Sequence, residues 1–548
     1  MQSTVLKIHP SDNVLVALTD LPGGTVVTHE QVSVQLHHAI PAKHKVSLQQ
    51  RSIGEEIIMY GVPIGKAVKP IGAGDAITTE NVKHHASGYQ LTAGQSQWTP
   101  PDVSRYRKAN FMGYHREDGQ VGVANYWLVI PLVFCENRNV DIIRQAFEEE
   151  LGFVQRNTFK QYVRTMVERY DNGRLETLNA LSFSPEVTEH KTRVFKNIDG
   201  IKFLTHEGGC GGTRQDAEAL CALLAGYIHN PNVAGATVLS LGCQHAQADI
   251  LKTKLQQLNP NFAKPLLLFE QQQEGTEQEL LLRALRETFI AMATANNQER
   301  KPAPLSKLKI GLECGGSDGF SGISANPAVG HVSDLITALG GSTILSEFPE
   351  LCGVEQELIN RCVSQSVAHQ FVTLMKAYAQ SAEKVGSGFD MNPSPGNIKD
   401  GLITDAMKSA GAAKKGGTSP ITSVLDYGEY VTQPGLNLLC TPGNDVESTT
   451  AMAGAGASII LFTTGLGTPT GNPIAPVVKI SSNTRLAQRM PDIIDINAGT
   501  IIEGTKTIEQ VGEEILEYII RLASGEMQTK AMQLNQNDFI PWKRGVSL

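Results

Sequence analysis

The sequence predicts a multidomain α/β protein: a small all-β module at the front, then a large α/β region with mostly parallel sheets. Three observations carry this. Residues 1–87 alternate apolar and polar positions over short stretches broken by closely spaced turns. From residue 105 onward, continuous apolar runs alternate with helical segments, the order that builds parallel sheets covered by helices on both faces. The 548 residues also exceed what one hydrophobic core holds, so roughly two to four domains are expected.

In the front module Val32, Val34 and Leu36 alternate with Ser33, Gln35 and His37, the period of a half-buried strand. Turns follow at Leu21–Gly24, Gly54–Glu55, Gly61–Pro63 and Gly72–Asp75, where glycine and proline punctuate the chain. Residues 88–104, rich in Gln, Thr, Gly, Ser and Pro, read as a linker. An α/β domain carrying the Cys and Gly motifs is expected over 105–385, and a C-terminal α/β domain over 386–548. Ala295–Pro304 and Gly386–Asn397 read as further surface connections. Tyr126–Phe134 is a continuous apolar run, as a strand buried on both faces requires. Arg214–Tyr227 reads as a helix, followed by a strand at Ala236–Leu241, with another buried strand at Ala457–Thr463. Near the end, Thr507 and Gln510 form a capping box ahead of Ile508, Val511, Ile515, Tyr518, Ile519 and Leu522 at helical spacing, and Gly525 stops the helix.

A net charge of −8 without a basic run excludes nucleic acid as the main partner. A small anionic substrate stays compatible, because a local group of Lys and Arg can oppose the global sign. No apolar run approaches the roughly 18 residues that span a bilayer, and Met1–Val5 lacks the basic start and apolar core of a signal peptide. Eight cysteines spread through such a chain point to a reducing cytoplasm.

Cys135, Cys210, Cys243 and Cys314 each follow a short apolar run, and three of the four are flanked by glycine. Open α/β sheets bind ligands beyond the carboxyl ends of their strands, so these thiols predict one metal crevice. The loop Thr205–Gly212 packs His206, Glu207 and Cys210 among glycines, and no Gly-Lys-Ser/Thr makes it a phosphate loop. Thiolate and imidazole suit iron or zinc, so Cys210, Cys243, Cys314 and His206 are the candidate ligands. Packing as a small hydrophobe is the competing role for a free thiol, and it is assigned to Cys221, Cys352 and Cys362. In the front module, His44 stands between Lys43 and Lys45, charges that lower its pKa and favour the neutral base. Tyr60 is placed to bring a phenol to the same cleft. Asn392–Asn397, Lys408, Lys414–Thr418, Pro442–Asp445 and Thr463–Gly467 are dense in amide, hydroxyl and ammonium donors. Such loops suit a polyhydroxylated acid, with Asn397 and Asn444 among the donors and Lys408 a further catalytic candidate. Taken singly, each loop also reads as ordinary turn chemistry.

These residues resemble a known family. Gly113–Gly122, the Gly242–Cys243 loop, Glu313–Pro327, Asn392–Asn397 and Pro434–Leu439 are similar to the large-domain motifs of altronate and galactarate dehydratases. Lys43–Lys45 and Tyr60–Ala67 resemble the SAF domain that precedes that region, so the likeness covers nearly the whole chain. The wording is nearest to the altronate-acting members. The resemblance implies a hydro-lyase that removes water from D-altronate to give 2-dehydro-3-deoxy-D-gluconate in hexuronate breakdown. It implies Fe²⁺ or Mn²⁺ as cofactor, with an iron–sulfur cluster on three cysteines as the alternative. His44 would act as acid or base from a closing module, and Arg116, Ser317, Asp318 and Asn326 would join the substrate donors. Other sugar acids such as galactarate, sulfo-lyase chemistry and non-catalytic sugar-acid binding are the alternatives. A homo-oligomer in the cytoplasm, with no nucleic-acid or membrane partner, completes the expectation. The chain departs from the family at Ile77–Asn81, where its His-rich stretch is replaced and Glu80 stands in a histidine position. It also departs at Gln244, Ala124–Asn125 and Ala406.

Overall fold

A computed structural model describes residues 4–30, 32–86, 88–92, 97–154, 158–183 and 192–547. Its front module is all β, as the turn spacing predicts. Val5–Leu6, Val14–Ala17, Lys45–Ser47 and Ala76–Ile77 form one antiparallel sheet, and Glu56–Met59, Val62–Ala67 and Val82–Lys83 a second. Val26–His29 and Val32–Gln35 make a hairpin. Val34 and Leu36 are buried, while Val32, beside the tight turn at Glu30, is exposed.

The large region is built on two parallel sheets. The first contains β1 (Tyr126–Pro131), β2 (Gly200–Phe203), β3 (Val233–Ser240) and β4 (Leu266–Glu270), in the order β2-β1-β3-β4. The second contains β5 (Lys309–Cys314), β6 (Ser342–Leu345), β7 (Ile421–Leu425), β8 (Gly435–Leu439), β9 (Ile459–Thr464), β10 (Val477–Ser481) and β11 (Ile496–Asn497). Their order is β7-β8-β6-β5-β9-β10-β11, every pair parallel. Every residue of β1, β3 and β9 is buried, which explains the unbroken apolar run of β1 and the largely apolar make-up of the other two.

Helices α1 (Arg214–His229), α2 (Ala325–Ala338), α3 (Asp405–Ala412), α4 (Asp445–Gly454) and α5 (Ile508–Ala523) flank these sheets. α1 and α4 join the two α/β units. Gly226 lies so near Gly454 that a side chain there would meet its carbonyl oxygen. Leu223 and Tyr227 share one apolar cluster with Met452, Ile460 and Phe462. The capping box at Thr507 and Gln510 opens α5 as the sequence predicts.

The boundary expected at 385/386 falls instead between β4 and β5. Strands β5 and β6, placed by the sequence in the earlier domain, pair with β8 and β9 in the second sheet. The polar stretch Gly386–Asn397 lies within that unit, holding the 3-10 turn Phe389–Met391 and the start of the short helix Pro395–Lys399. The connection at Ala295–Pro304 is the true seam, where Lys301–Pro304 pairs antiparallel with Asn110–His115.

The β module sits on the carboxyl edge of the second sheet. Lys43 Nζ bridges Asp318 Oδ2 at 3.0 Å and Asp400 Oδ1 at 2.7 Å. Lys45 Nζ donates to the Gly401 carbonyl at 2.7 Å, and Thr404 Oγ1 to the Ile64 carbonyl at 2.7 Å. Ile57, Met59, Tyr60 and Ile64 share a core with Phe320, Ile323 and Met407. No helix among the described residues is long and apolar enough to cross a membrane.

Candidate active site

The carboxyl end of β5 delivers Glu313 and Cys314. A side chain on the next residue, Gly315, would collide with the Asp445 carboxylate, so glycine admits the first turn of α4 at close range. Beyond β6 the chain turns sharply at Glu347, whose φ of 65° is left-handed and unusual for a non-glycine residue. Such strain persists where surrounding structure enforces it, commonly at functional sites. Here the Glu347 N–H donates to Thr441 Oγ1 at 2.9 Å, and the short 3-10 turn Phe348–Leu351 then presents Glu350. α3 adds Lys408, and the turn Ala413–Gly416 adds Lys415.

These side chains meet in one buried group. Lys415 Nζ lies 2.9 Å from Cys314 Sγ and 3.1 Å from Glu347 Oε2. The Cys314 thiol faces Glu350 Oε2 at 3.4 Å. Lys408 Nζ lies 2.6 Å from Glu350 Oε1 and donates to Asn392 Oδ1 at 2.8 Å. Ser448 and Ser346 donate to Glu313 Oε2 at 2.6 and 3.3 Å. Glu313 Oε1 and Glu347 Oε1 meet no N–H or hydroxyl donor, and the two carboxyl groups face one another closely enough to share a proton. A side chain at Gly443, exposed at the rim, would meet both Asn392 and Glu350.

Burial and crowding push these acids apart. Burial, then Glu350, raises Glu347 to about 7 and Asp445 to about 6. Burial, then Glu347, drives Glu313 well above the carboxylate range. Burial also opposes ionisation of Glu350, but Lys408 and Lys415 overcome it and hold that residue low. Both lysines stay ammonium ions, because Glu350 beside Lys408 and Cys314 with Glu347 beside Lys415 outweigh desolvation. Neighbouring carboxyl groups with separated pKa values are the arrangement that divides acid and base roles at neutral pH.

A cation would find donors here. Cys314, Glu347 and Glu350 form one set with ligand atoms within 4.8 Å of one another, and Glu313, Glu347 and Asp445 a second. Four carboxyl groups and a thiol face two ammonium groups, and the Glu313–Glu347 pair has only a shared proton where an ion would otherwise sit. The residues therefore fit a divalent ion, with the carboxylate set suited to a harder one.

Of the residues expected from sequence, Cys314 and Lys408 join this group. Asp318 lies beside it, fully buried, receiving Lys43, Ser321, Ser482 and Asn483. His44 is half-buried next to Lys43, with Nδ1 3.2 Å from the Ala42 carbonyl. Burial first, then Lys45 and Lys43, keeps its pKa low, the direction its flanking lysines predict. Tyr60 is buried with its hydroxyl wedged against Gly322 and Gly411, and burial keeps the phenol protonated.

Several candidates brace rather than face this group. Asn326 accepts from Thr463 Oγ1 at 2.6 Å and donates to Gly411 O at 3.0 Å. Asn397 donates to the carbonyl of buried Ser317 at 2.8 Å and completes the capping box with Ser394. Asn444 caps α4 through the N–H groups of Val446 and Glu447. Arg116 is buried in the other unit, where Pro231, Asn125, Ala124 and Gln298 accept from its guanidinium, so it braces that unit and does not join this group.

The single crevice of thiols does not form around Cys314. Cys210 and Cys243 are exposed in loops after β2 and β3 of the first sheet, and no group of ligand atoms within 4.8 Å joins them to Cys314 among the described residues. His206 is not free to ligate. Its Nε2 donates to the Pro131 carbonyl at 2.7 Å, its Nδ1 accepts the Gly208 N–H at 3.1 Å, and burial lowers its pKa to about 4. Glu80 points to solvent opposite Lys69. Sequence reasoning missed Glu347 and Glu350. Their signal was the Glu-Phe-Pro-Glu stretch just past the apolar run Ser342–Leu345, the same strand-end position that singled out the cysteines.

Comparison with known proteins places the whole chain. Residues 3–85 match the altronate/galactarate dehydratase SAF domain, and residues 113–296 the second domain of D-galactarate dehydratase/altronate hydrolase. Residues 305–547 match the C-terminal D-galactarate/altronate dehydratase domain. The chain is 36% identical to an altronate dehydratase of Bacillus subtilis (strain 168) and 34% to one of Escherichia coli (strain K12), covering 99% of each pair of chains. It is 31% identical to the galactarate dehydratase (L-threo-forming) of Escherichia coli (strain K12), over 96% of this chain and 93% of that one. With all three domains matched in order and the length shared end to end, this chain belongs to the altronate/galactarate dehydratase family.

Proposed function

We propose that this enzyme is a hydro-lyase converting D-altronate to 2-dehydro-3-deoxy-D-gluconate, with its chemistry at the Glu347–Glu350–Lys408–Lys415 group. The observation that carries this reading is the joining of two buried ammonium groups to carboxyl groups of separated pKa, under a module that supplies a neutral histidine. Lys408 and Lys415 supply positive charge for the substrate carboxylate. Neutral His44 takes the C2 proton, and protonated Glu347 gives a proton to the departing C3 hydroxyl. The enol that results tautomerises to the 2-keto acid. Fe²⁺ or Mn²⁺ held by Glu313 and Asp445, with Glu347 left free to carry its proton, would supply Lewis-acid stabilisation of the enediolate.

A different observation favours an iron–sulfur cluster as the second reading of the iron. Cys135, Cys210 and Cys243 are all exposed, each just past a strand of the adjacent trio β2-β1-β3. Their loops are stitched together around Gly208 and Gly209, whose carbonyls accept from Phe134 N–H and Ala246 N–H at 3.1 and 3.0 Å. These thiols form no set within 4.8 Å, spacing too wide for one ion, whereas a cluster holds its cysteines on separate irons.

Anaerobic turnover of D-altronate and galactarate, with and without Fe²⁺, tests the assignment. Altronate-dependent keto-acid formation that falls at least 100-fold in Glu347→Gln is expected. Unchanged turnover in that variant would remove the proposed site, and turnover of galactarate alone would remove the proposed substrate. Iron without acid-labile sulfide selects the mononuclear ion, and sulfide lost in Cys210→Ser selects the cluster. The same reading places the enzyme in the cytoplasm as a homo-oligomer acting on a small sugar acid, which sedimentation of the purified protein examines.

A further inference from the structure

A second metal-type group lies outside this site. His84, at the end of the β module, meets Cys352 and Asp405 of the C-terminal unit, with one ligand atom from each within 4.8 Å of the others. The three come from separate places: the segment after Val82–Lys83, the turn after Phe348–Leu351, and the first residue of α3. Asp405 is fully buried, and its carboxylate meets no N–H or O–H donor, only the Cys352 thiol. The nearest cation on its own helix, Lys408, is committed to Glu350 and Asn392. A carboxylate buried with only a thiol to face it is expensive unless a proton or a cation compensates it. His84 and Cys352 are only partly buried and border a cavity of about 550 Å³ with Lys83, Glu383 and Asp390, which gives an ion a way in. His84 is held against α3 by the Ala406 N–H, 3.3 Å from Nδ1.

We propose that His84, Cys352 and Asp405 form a transition-metal site, best suited to Zn²⁺, that clamps the β module to the C-terminal unit. Imidazole, thiolate and carboxylate are the ligands zinc takes, and three of them leave a fourth tetrahedral position for water. The competing arrangement, a neutral Asp405 paired with the Cys352 thiol, takes up no ion, and the cobalt titration separates the two. The clamp is independent of the reaction proposed above, since it uses none of the residues assigned to the chemistry.

Chelator-treated full-length protein titrated with Co²⁺ tests it. One equivalent giving a thiolate-to-cobalt charge-transfer band, displaced by Zn²⁺, is expected. His84→Ala and Cys352→Ser should lose that band, while Cys314→Ser keeps it. Asp405→Asn, which preserves shape, should weaken binding by at least about 10–100-fold, the cost of losing even an outer-shell partner of a ligand. Zn²⁺ should also slow proteolysis between residues 86 and 104 in the wild type and not in His84→Ala. Equal Co²⁺ binding with the same band in wild type and in a Cys352→Ser variant of native circular dichroism would overturn the site. So would the absence of any band in the wild type.

Discussion

The two parallel sheets solve one topological problem with opposite chemistry at their carboxyl edges. The first sheet ends in open, glycine-broken loops that display three exposed thiols. The second ends in a closed pocket where carboxyl groups and ammonium ions are buried together beneath the β module. Both edges are where open α/β sheets place ligands, yet only the second carries a charge network able to divide acid and base roles. Strand ends fix where chemistry sits, and what covers them fixes its kind. A covered edge can hold charges out of water because they compensate one another, whereas an open edge leaves soft ligands reachable by a cofactor.

The largest expected effect lies at the covered edge. Lys415→Met removes the ammonium beside Glu347 and Cys314 and leaves buried acids uncompensated, which should destabilise the fold by about 3–5 kcal/mol. Adding Glu347→Gln to that variant should recover a large part of the loss, as a double-mutant cycle in urea would report. If Lys415→Met unfolds like the wild type, the second edge is not a charge-compensated pocket and the contrast between the edges collapses.

Much of this contrast was legible in the chain, and for physical reasons. Continuous apolar runs such as Tyr126–Pro131 revealed strands buried on both faces, and glycine beside cysteine marked their ends. Thr507 with Gln510 announced α5 through local chemistry alone. What stayed hidden depends on pairing across long separations. Glu347 and Glu350 lie in an unremarkable stretch, and only the meeting of β5 with β6, α3 and the Lys415 turn makes them a group. The domain seam was misplaced because the Gly386–Asn397 stretch has a linker's composition, while the true seam at Lys301–Pro304 is concealed within a strand. Sequence separation likewise hid the split between Cys314 and the other strand-end thiols, since identical local signals arise in different sheets.

A smaller effect should appear at the open edge. Gly209 has a φ of 98°, and a side chain there would run into the Leu132 carbonyl and Val133. Gly209→Ala is therefore expected to destabilise by about 2–3 kcal/mol and to spread the loops that carry Cys135, Cys210 and Cys243. Urea unfolding measures the first consequence, and thiol labelling rates measure the second, faster in the variant at all three positions. Labelling at Cys314 should not change, because its pocket belongs to the other sheet. A parallel rise at Cys314 would show the two edges opening as one.

The smallest effect concerns the cover itself. Lys45 is buried, donates only to the carbonyls of Lys43 and Gly401 at 2.9 and 2.7 Å, and is driven by burial from 10.5 down to about 7. Between those pH values the unfolded chain binds a proton at Lys45 that the folded chain gives up, so stability rises with pH across that window. The penalty is largest and constant below about pH 7 and vanishes above the unfolded value. Lys45→Met removes this titration while keeping the apolar stem, so wild type should gain on the variant by at most about 1.4 kcal/mol per pH unit. Between pH 7 and 8 that is about 1 kcal/mol, readable as the difference between two urea midpoints. A difference that stays flat with pH would mean Lys45 keeps its proton under the cover, through Asp318. The second edge would then be wetter than its buried charges imply, and closer in kind to the first.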